Sequence, residues 1–432
     1  MDAPSARVNI PPPSTMVMTL PQSMSETENP PIDAAESGVR QPVVLQVLPA
    51  LVTGGVERGT VEVAQALGEA GWKAVVASSG GPMVRELIRA GAVHVEMPLA
   101  SKNPLVMRAN VKRLEKVIRE HGVDIVHARS RAPAWSAHAA ANRTGAHFIT
   151  TFHGTYNLGG FGFKHWYNSV MVKGERVIAI SEFIAEHARR IYGLAAERIR
   201  VIHRGVDLTK FDPNRVSQER IIQLANRWRL PDGYPVIMLP GRLTRWKGQR
   251  VLIEALALLG RHDVRCLLVG SDQGRSGYRQ ELVDLIKRRD LTHVVHIVDE
   301  CNDMPAAYML TDVVVSASTD PEAFGRVVVE AQAMGRPVIA TDHGGPRESI
   351  LAGRTGWLAN PDDPRSLADA IARFLDLSAE ERQRVADLGQ AFVRANFTKE
   401  AMCAKTLAVY REILSGAPVV AQQDWLIDPE QA

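Results

Sequence analysis

Short, almost continuous apolar runs punctuate the chain, and stretches with helical spacing separate them. The first run is Val43-Val44-Leu45-Gln46-Val47-Leu48. Four to six apolar residues without alternation are expected of a strand buried on both faces. Gly54-Gly55 and a helical stretch to about residue 68 follow. The pattern then predicts strands at 73–78, 123–127, 147–151, 176–180 and 199–202. Strands alternating with helices imply a parallel sheet covered on both faces. After Asp212-Pro213 and the turn signal Pro231-Asp232-Gly233 the pattern restarts. A second series of strands is predicted at 235–239, 266–269, 294–297, 313–315 and 337–340. Two doubly wound α/β domains of similar size are therefore expected, with ligands held beyond the carboxyl ends of their strands.

The 432 residues divide into a leader at 1–40, a domain at 41–215, a second domain at 216–415 and a tail at 416–432 that carries Trp425 and no readable motif. The leader reads as disordered, because Pro, Ser and Glu dominate and nothing in it is periodic. It also lacks the continuous apolar core of a secretory signal. Residues 41–215 hold 23 basic and 14 acidic side chains, so a net charge of only +3 conceals a basic first half. Such a half suits an anion or an anionic surface. The modest total and the lack of a recognition module argue against a nucleic-acid partner. Cys266, Cys301 and Cys403 are far apart and odd in number, which points to a reducing, cytoplasmic setting without a structural zinc. No apolar run approaches a membrane span.

Two segments carry most of the chemistry. In Pro321-Glu322-Ala323-Phe324-Gly325-Arg326-Val327-Val328-Val329-Glu330, two glutamates bracket seven residues just after a predicted strand. A helix starting near Phe324 would aim free N–H groups at the cleft, a site suited to phosphate or sugar oxygens. Glu322 is expected in the loop and Glu330 two turns into the helix, among valines, where a carboxylate needs partners. The second segment is Gly241-Arg242-Leu243-Thr244-Arg245-Trp246-Lys247-Gly248. It places Arg242 and Lys247 at a strand's carboxyl end, where they can neutralise a departing diphosphate. Taken alone, the first segment can also be a helix-start carboxylate followed by a solvated Glu330, and an isolated basic loop such as the second is more simply an ordinary solvated turn. His153, in Thr151-Phe152-His153-Gly154, ends another strand, as does His127-Ala128-Arg129-Ser130-Arg131.

Together these motifs resemble the retaining, nucleotide-sugar-dependent glycosyltransferases of family 4, which have the two-domain GT-B fold. Gly270-Ser271-Asp272-Gln273-Gly274, Tyr308-Met309-Leu310-Thr311-Asp312 and Pro337-Val338-Ile339-Ala340-Thr341-Asp342-His343-Gly344-Gly345 fit the same pattern in the same order. The resemblance covers roughly residues 42–415. It implies that Glu322 contacts the donor sugar and Glu330 the nucleotide ribose. Arg242 and Lys247 would hold the diphosphate, helped by backbone amides at Phe324, Gly325 and Arg326. His153 would lie near the donor sugar, and Gly54-Gly55 would close on donor and acceptor. From their place at a strand end, not from the resemblance, Arg129 and Ser130 are assigned to the acceptor; a salt-bridged rim fits them equally. Neither a cofactor nor a metal is expected; the nucleoside-diphosphate sugar is a co-substrate and the acceptor a glycan or lipid-linked glycan of lipopolysaccharide type. Two departures stand out. His203-Arg204-Gly205-Val206-Asp207 has Arg204 where the family often has Asn, and the loop after Gly270 lacks Gly-x-Gly-Pro.

Rival readings differ in chemistry. A glycosidase would use Glu322 and Glu330 as acid and nucleophile across one bond, leaving the Arg242/Lys247 loop without a purpose. A non-catalytic sugar-nucleotide sensor would keep the same side chains. A dinucleotide oxidoreductase fits poorly, because Gly54-Gly55-Val56-Glu57-Arg58-Gly59 is not GxGxxG and no acid ends the second strand. Finally, residues 105–120 predict a helix with Met107, Val111, Leu114 and Ile118 on one face and Arg108, Lys112 and Lys116 on another, with Arg113 and Arg119 nearby. With Phe161, Phe163, Trp166 and Tyr167 it could dock peripherally on an anionic membrane, and a solvated helix face beside a core-packing loop fits the same residues equally.

Overall fold

Apolar runs that shun water on both sides must be covered on both sides, and the computed structural model shows how. It describes residues 40–52, 54–156, 162–274, 276–417 and 426–430. The leader apart from Arg40, together with Phe161 and Trp425, lies outside the described residues, and so does the Phe163 side chain. Seven strands form a first sheet: β1 Val43–Val47, β2 Lys73–Ser78, β3 Val93–Glu96, β4 Ile125–Ala128, β5 His147–Phe152, β6 Val177–Ala179 and β7 Ile199–Val201. Six form a second: β8 Val236–Pro240, β9 Arg265–Val269, β10 Val295–Val298, β11 Val313–Ser316, β12 Val338–Thr341 and β13 Gly356–Ala359. Their orders are β3-β2-β1-β4-β5-β6-β7 and β10-β9-β8-β11-β12-β13. Every described pairing of these strands is parallel.

Each predicted strand forms within about two residues of its expected place. The pattern missed β3 and β13, both at sheet edges. The first is only half covered and the second begins at Gly356, so neither shows a buried run. In each sheet the strand order turns back once, between β1 and β4 and between β8 and β11. A crevice opens at such a switch point beyond the strands' carboxyl ends. The loops after these four strands carry Gly54-Gly55, Arg129-Ser130, Arg242 and Glu322.

The predicted basic helix forms at Pro104–His121, capped by Asn103, whose side chain accepts the Leu105 N–H at 2.9 Å. Val111, Leu114 and Ile118 are buried while Arg108, Lys112, Arg113, Lys116 and Arg119 are exposed. No helix among the described residues is long and apolar enough to cross a membrane.

The division at 215/216 assigns the last helix, Lys399–Ser415, to the second domain. Its side chains pack elsewhere. Met402, Leu407, Tyr410 and Ile413 join Val44, Leu48, Ile125, Ile149 and Ile178 on one face of the first sheet. The crossing is fixed where Val206 N donates to Phe397 O at 2.8 Å and Lys399 N to Val206 O at 3.0 Å. Gly205 is needed there, since a Cβ would overlap the Thr398–Lys399 backbone. Buried His127 contributes by bonding Tyr410 Oη and Thr151 Oγ1, each at 2.7 Å.

Glu412 completes the anchor. It is 2% exposed, and it accepts from Arg176 Nε at 2.8 Å and Arg200 Nε at 3.0 Å. Burial opposes its ionisation, but the hydrogen bonds from Arg200 and Arg176 outweigh burial and hold the carboxyl below its usual range. A depressed carboxylate pKa stabilises the fold above the unfolded value, and that stability is lost as pH falls through the folded one. Glu412→Gln is therefore expected to cost about 3 kcal/mol at neutral pH. In urea titrations, the gap to wild type should narrow below about pH 4, the unfolded carboxylate range.

Candidate active site

In the second lobe the loop after β8 is stitched to its neighbours by backbone bonds. Gly241 N donates to Val269 O at 2.8 Å, Leu243 N to Ser271 O at 3.0 Å, and Thr319 N to Trp246 O at 2.8 Å. Gln249 Nε2 donates to the Arg242 carbonyl at 2.9 Å, while the exposed Arg242 guanidinium has no partner among the described residues. Lys247 closes the short 3₁₀ turn Arg245–Lys247. The next residue, Gly248, takes φ 71°, and a Cβ on it would overlap the Ala317 carbonyl. Only glycine lets this turn approach the end of β11 so closely.

That approach brings the two motifs together. Lys247 Nζ donates to Glu322 Oε1 at 2.7 Å, and Ser318 Oγ and Ser316 Oγ donate to the same oxygen at 2.5 and 3.2 Å. Both charged side chains are nearly buried, 14% and 11% exposed. Burial works against ionisation of Glu322, but the Lys247 ammonium and these hydrogen bonds prevail and lower its pKa. Three donors therefore converge on Oε1, while Oε2 accepts nothing among the described residues.

The helix after Glu322 runs Arg326–Ala333, beginning later than expected because Gly325 turns left-handed at φ 84°. Glu330 thus sits one turn into the helix, not two. It is not a solvated side chain either. Tyr308 Oη donates to its Oε2 at 3.1 Å, and Arg326 Nη2 pairs with its Oε1 at 3.2 Å. Burial first, then the Glu330 charge, drives the Tyr308 phenol well above its ordinary pKa, so it is a committed donor. Phe324 is 2% exposed and packs on Phe397, so only its backbone can face a ligand. The N–H groups of Phe324, Gly325 and Arg326 donate no hydrogen bond among the described residues. Beneath them runs the Gly344-Gly345 loop, where Gly345 N donates to Glu322 O at 2.8 Å.

In the first lobe, Gly54-Gly55 starts the helix Gly55–Glu69 with no side-chain cap. Two arginines close on it. Arg204 donates to the Gly55 carbonyl, and Arg129, only 3% exposed, reaches Gln46 Oε1 at 3.1 Å with its Nε unpartnered. Burial, together with neighbouring Arg129 and Arg326, pushes the Arg204 pKa down to about 9. His153 stands in the same field. Both its ring nitrogens are sealed from solvent with no partner among the described residues. Burial, reinforced by Arg204, Arg129 and His127, drives its pKa well below the ordinary value, so it is a neutral imidazole. Ser130 opens the helix Arg131–Thr144 without capping it.

The lobes touch beside this chemistry. Ser181 Oγ donates to Ala323 O at 2.6 Å. Glu348 of the second lobe accepts from the N–H groups of Glu182 and Phe183, both at 2.8 Å, and from His203 Nε2 at 2.7 Å. Gly55 lies against Arg326 and Arg204. Sequence reasoning named Glu322, Glu330, Arg242, Lys247, His153 and Arg326 as chemistry but missed Arg204, Ser316, Ser318 and the partnership of Tyr308 with Glu330. Arg204 had left one signal, an arginine in place of the expected asparagine. No group of three or more His, Cys, Asp or Glu side chains is gathered as metal ligands would be among the described residues.

Comparison with known proteins agrees with this arrangement. Residues 221–391 match the family described as Glycosyl transferases group 1, and residues 53–210 match Glycosyltransferase Family 4. The crystal structure of a glycosyltransferase from Rickettsia africae ESF-5 is 40% identical, with a TM-score of 0.81 over 87% of this chain and 99% of that one. Anabaena HepE, solved with UDP and glucose, shares the fold at 23% identity, with a TM-score of 0.74 over 85% of this chain and 99% of that one. D-inositol 3-phosphate glycosyltransferase 1 of Catenulispora acidiphila is 32% identical over 258 residues, 58% of this chain. The match spans 60% of that relative's length. Two Rossmann-like lobes, their paired motifs and these likenesses together establish that the chain belongs to the family 4 glycosyltransferases of GT-B fold.

Proposed function

We propose that the protein transfers a hexosyl group, with retention of configuration, from a nucleoside-diphosphate sugar to a hydroxyl of a glycan or lipid-linked acceptor. One observation carries the reading: the Lys247–Glu322 pair at 2.7 Å, set beside the free N–H groups at Phe324–Arg326. A diphosphate needs cations and fixed dipoles as it departs, and these residues supply both. Lys247, steered by Glu322, and Arg242, unengaged, neutralise its charge. Glu322 Oε2, which accepts no bond among the described residues, suits a hydroxyl of the donor sugar. Glu330, oriented by Tyr308 and Arg326, suits the ribose hydroxyls. HepE, whose structure contains UDP and glucose, supports a nucleotide-sugar donor by fold.

The chemistry is then one of orientation and charge stabilisation. Retention is a front-face transfer in which the departing diphosphate takes the acceptor proton. His153, neutral and without a hydrogen-bond partner among the described residues, offers its ring to the donor sugar. Gly54 and Gly55 close on both substrates, while Arg129 and Ser130 line the acceptor side. Closure of the lobes would exclude water, whose attack on the donor is the competing reaction. The glycosidase alternative fails at Glu322. A general acid must hold a proton at neutral pH, and Lys247 keeps this carboxyl ionised.

The acceptor belongs to cell-surface glycan synthesis on the cytoplasmic side in this proposal. The exposed cations of the helix Pro104–His121 and the 55%-exposed Trp166, stacked on Trp135 at 4.7 Å, support docking on an anionic membrane.

A thermal-shift screen of UDP-, GDP- and ADP-sugars tests the donor. The right donor at one hundred times its Kd should stabilise the protein by about 2.7 kcal/mol. Arg242→Ala should leave the unliganded melting temperature unchanged and lower turnover by about 100-fold. Wild-type turnover in that variant would refute the diphosphate role. Tight donor binding without product across a broad acceptor panel would instead support the non-catalytic alternative. A second measurement addresses His153. Its ring proton resonances should show no titration through about pH 6.5, where exposed histidines take up a proton. A midpoint near that value would remove the neutral imidazole from the account.

A further inference from the structure

Resting on the transfer reading, one cluster remains that the donor does not use. The helix Gly55–Glu69 has glycine at 55 and 59, so one face of its first turns carries no side chain at either position. Guanidinium groups fill the space. A Cβ on Gly59 would stand 2.7 Å from Arg204 Nη1 and 3.1 Å from both Arg129 Nη2 and Arg204 Nη2, so the two cations converge on one point. A Cβ on Gly55 would meet Arg204 Nη2 and Arg326 Nη1, each at 3.6 Å. Arg129 and Arg204 are 3% and 6% exposed. Buried cations of this kind are normally paired with carboxylates. Here neither has an ion pair among the described residues. Arg129 reaches one neutral amide oxygen and Arg204 a backbone carbonyl.

The surrounding charges do not repair the imbalance. Arg326 is already paired with Glu330, Arg58 with Glu86, and Lys399 with Asp207. Glu57 and Glu62 lie on the same helix, within the field of Arg204, yet neither forms an ion pair with Arg129 or Arg204. Burial also raises the Glu62 pKa despite the charges of Arg204 and Arg326. His153, neutral and with no hydrogen-bond partner among the described residues, lies in the field of the same two arginines. Arg129 Nε is sealed from solvent and has no acceptor among the described residues.

We infer that the acceptor is itself an anion, a phosphate monoester whose phosphate is gripped by Arg129 and Arg204 over the glycine face of the helix Gly55–Glu69. Two guanidinium charges match the nearly double charge of a monoester at neutral pH. Arginine forks suit its oxygens in bidentate geometry. The group would be bound at the first lobe's switch point, opposite the donor's diphosphate, leaving a neighbouring acceptor hydroxyl directed at the donor sugar.

Inorganic phosphate is the probe, titrated calorimetrically into the full chain at constant ionic strength. The wild type should bind it, and should still bind it with saturating UDP or GDP present. Arg129→Gln and Arg204→Gln should each weaken phosphate at least about tenfold, the loss expected for one charged hydrogen-bonding group. Arg242→Ala should leave phosphate unaffected. Gly59→Ala is the second variant. It places a methyl group 2.7 Å from Arg204 Nη1, so the guanidinium group must swing away and phosphate should weaken at least about tenfold. Helix propensity offsets part of the crowding, and a cooperative thermal melt separates lost binding from unfolding. Unchanged phosphate affinity in the arginine variants overturns the inference. So does displacement of phosphate by the nucleoside diphosphate, which would assign the cluster to the donor. Phosphate binding through Arg129 and Arg204 in a protein that binds no nucleotide or nucleotide sugar would sink the donor reading and leave the anion site standing.

Discussion

A carboxylate and an ammonium group cannot be withdrawn from water separately, and the second lobe is arranged around that constraint. Lys247 and Glu322 lie 75 positions apart in sequence, on loops that follow strands β8 and β11. Those strands are neighbours in the sheet because the chain order turns back there, so the pairing is a consequence of topology. Each ion alone would carry a desolvation cost of several kcal/mol. Paired, with two serines donating to the shared oxygen, they become fixed points from which the donor loops are measured. Gly248 and the Gly344-Gly345 loop let backbone approach backbone beneath them, where a side chain would intervene.

The strands were legible because burial on both faces writes a continuous apolar run, and eleven of the thirteen announce themselves this way. The missing two are edges, where one side of the strand is not required to be apolar. The glutamates, Arg242, Lys247 and His153 were legible as residue types near strand ends. Their partners were not. Nothing local in the sequence says that Tyr308 will meet Glu330 or that Ser316 and Ser318 will converge on Glu322, since such pairs follow from how loops cross in space. The start of the helix at Arg326 was misplaced for a related reason. The left-handed backbone of Gly325 delays the helix, which leaves Glu330 one turn into it, and the sequence pattern carries no sign of that turn.

Arg204 shows how a departure from a family pattern becomes interpretable once coordinates exist. In sequence it merely replaces an asparagine. In space it spans from the connection between the lobes to the Gly55 carbonyl, and it shares one small volume with Arg129. Gly55, Gly59 and Arg204 are thus a matched set. The helix gives up side chains where the connection supplies a cation. The same connection holds His203, which bonds Glu348 of the opposite lobe, so binding chemistry and the joint between lobes occupy adjacent residues.

The last helix, which seals one face of the first sheet, also sets a timetable for biosynthesis. Once β7 has emerged from the ribosome, Val44, Ile125, Ile149 and Ile178 still lack the cover that Met402 through Ile413 will provide. Roughly 200 further residues must be made first, an interval of order ten to forty seconds at ordinary elongation rates. During that interval the nascent first half presents an oily, incompletely shielded surface, a natural handle for chaperones and a point of vulnerability to premature association.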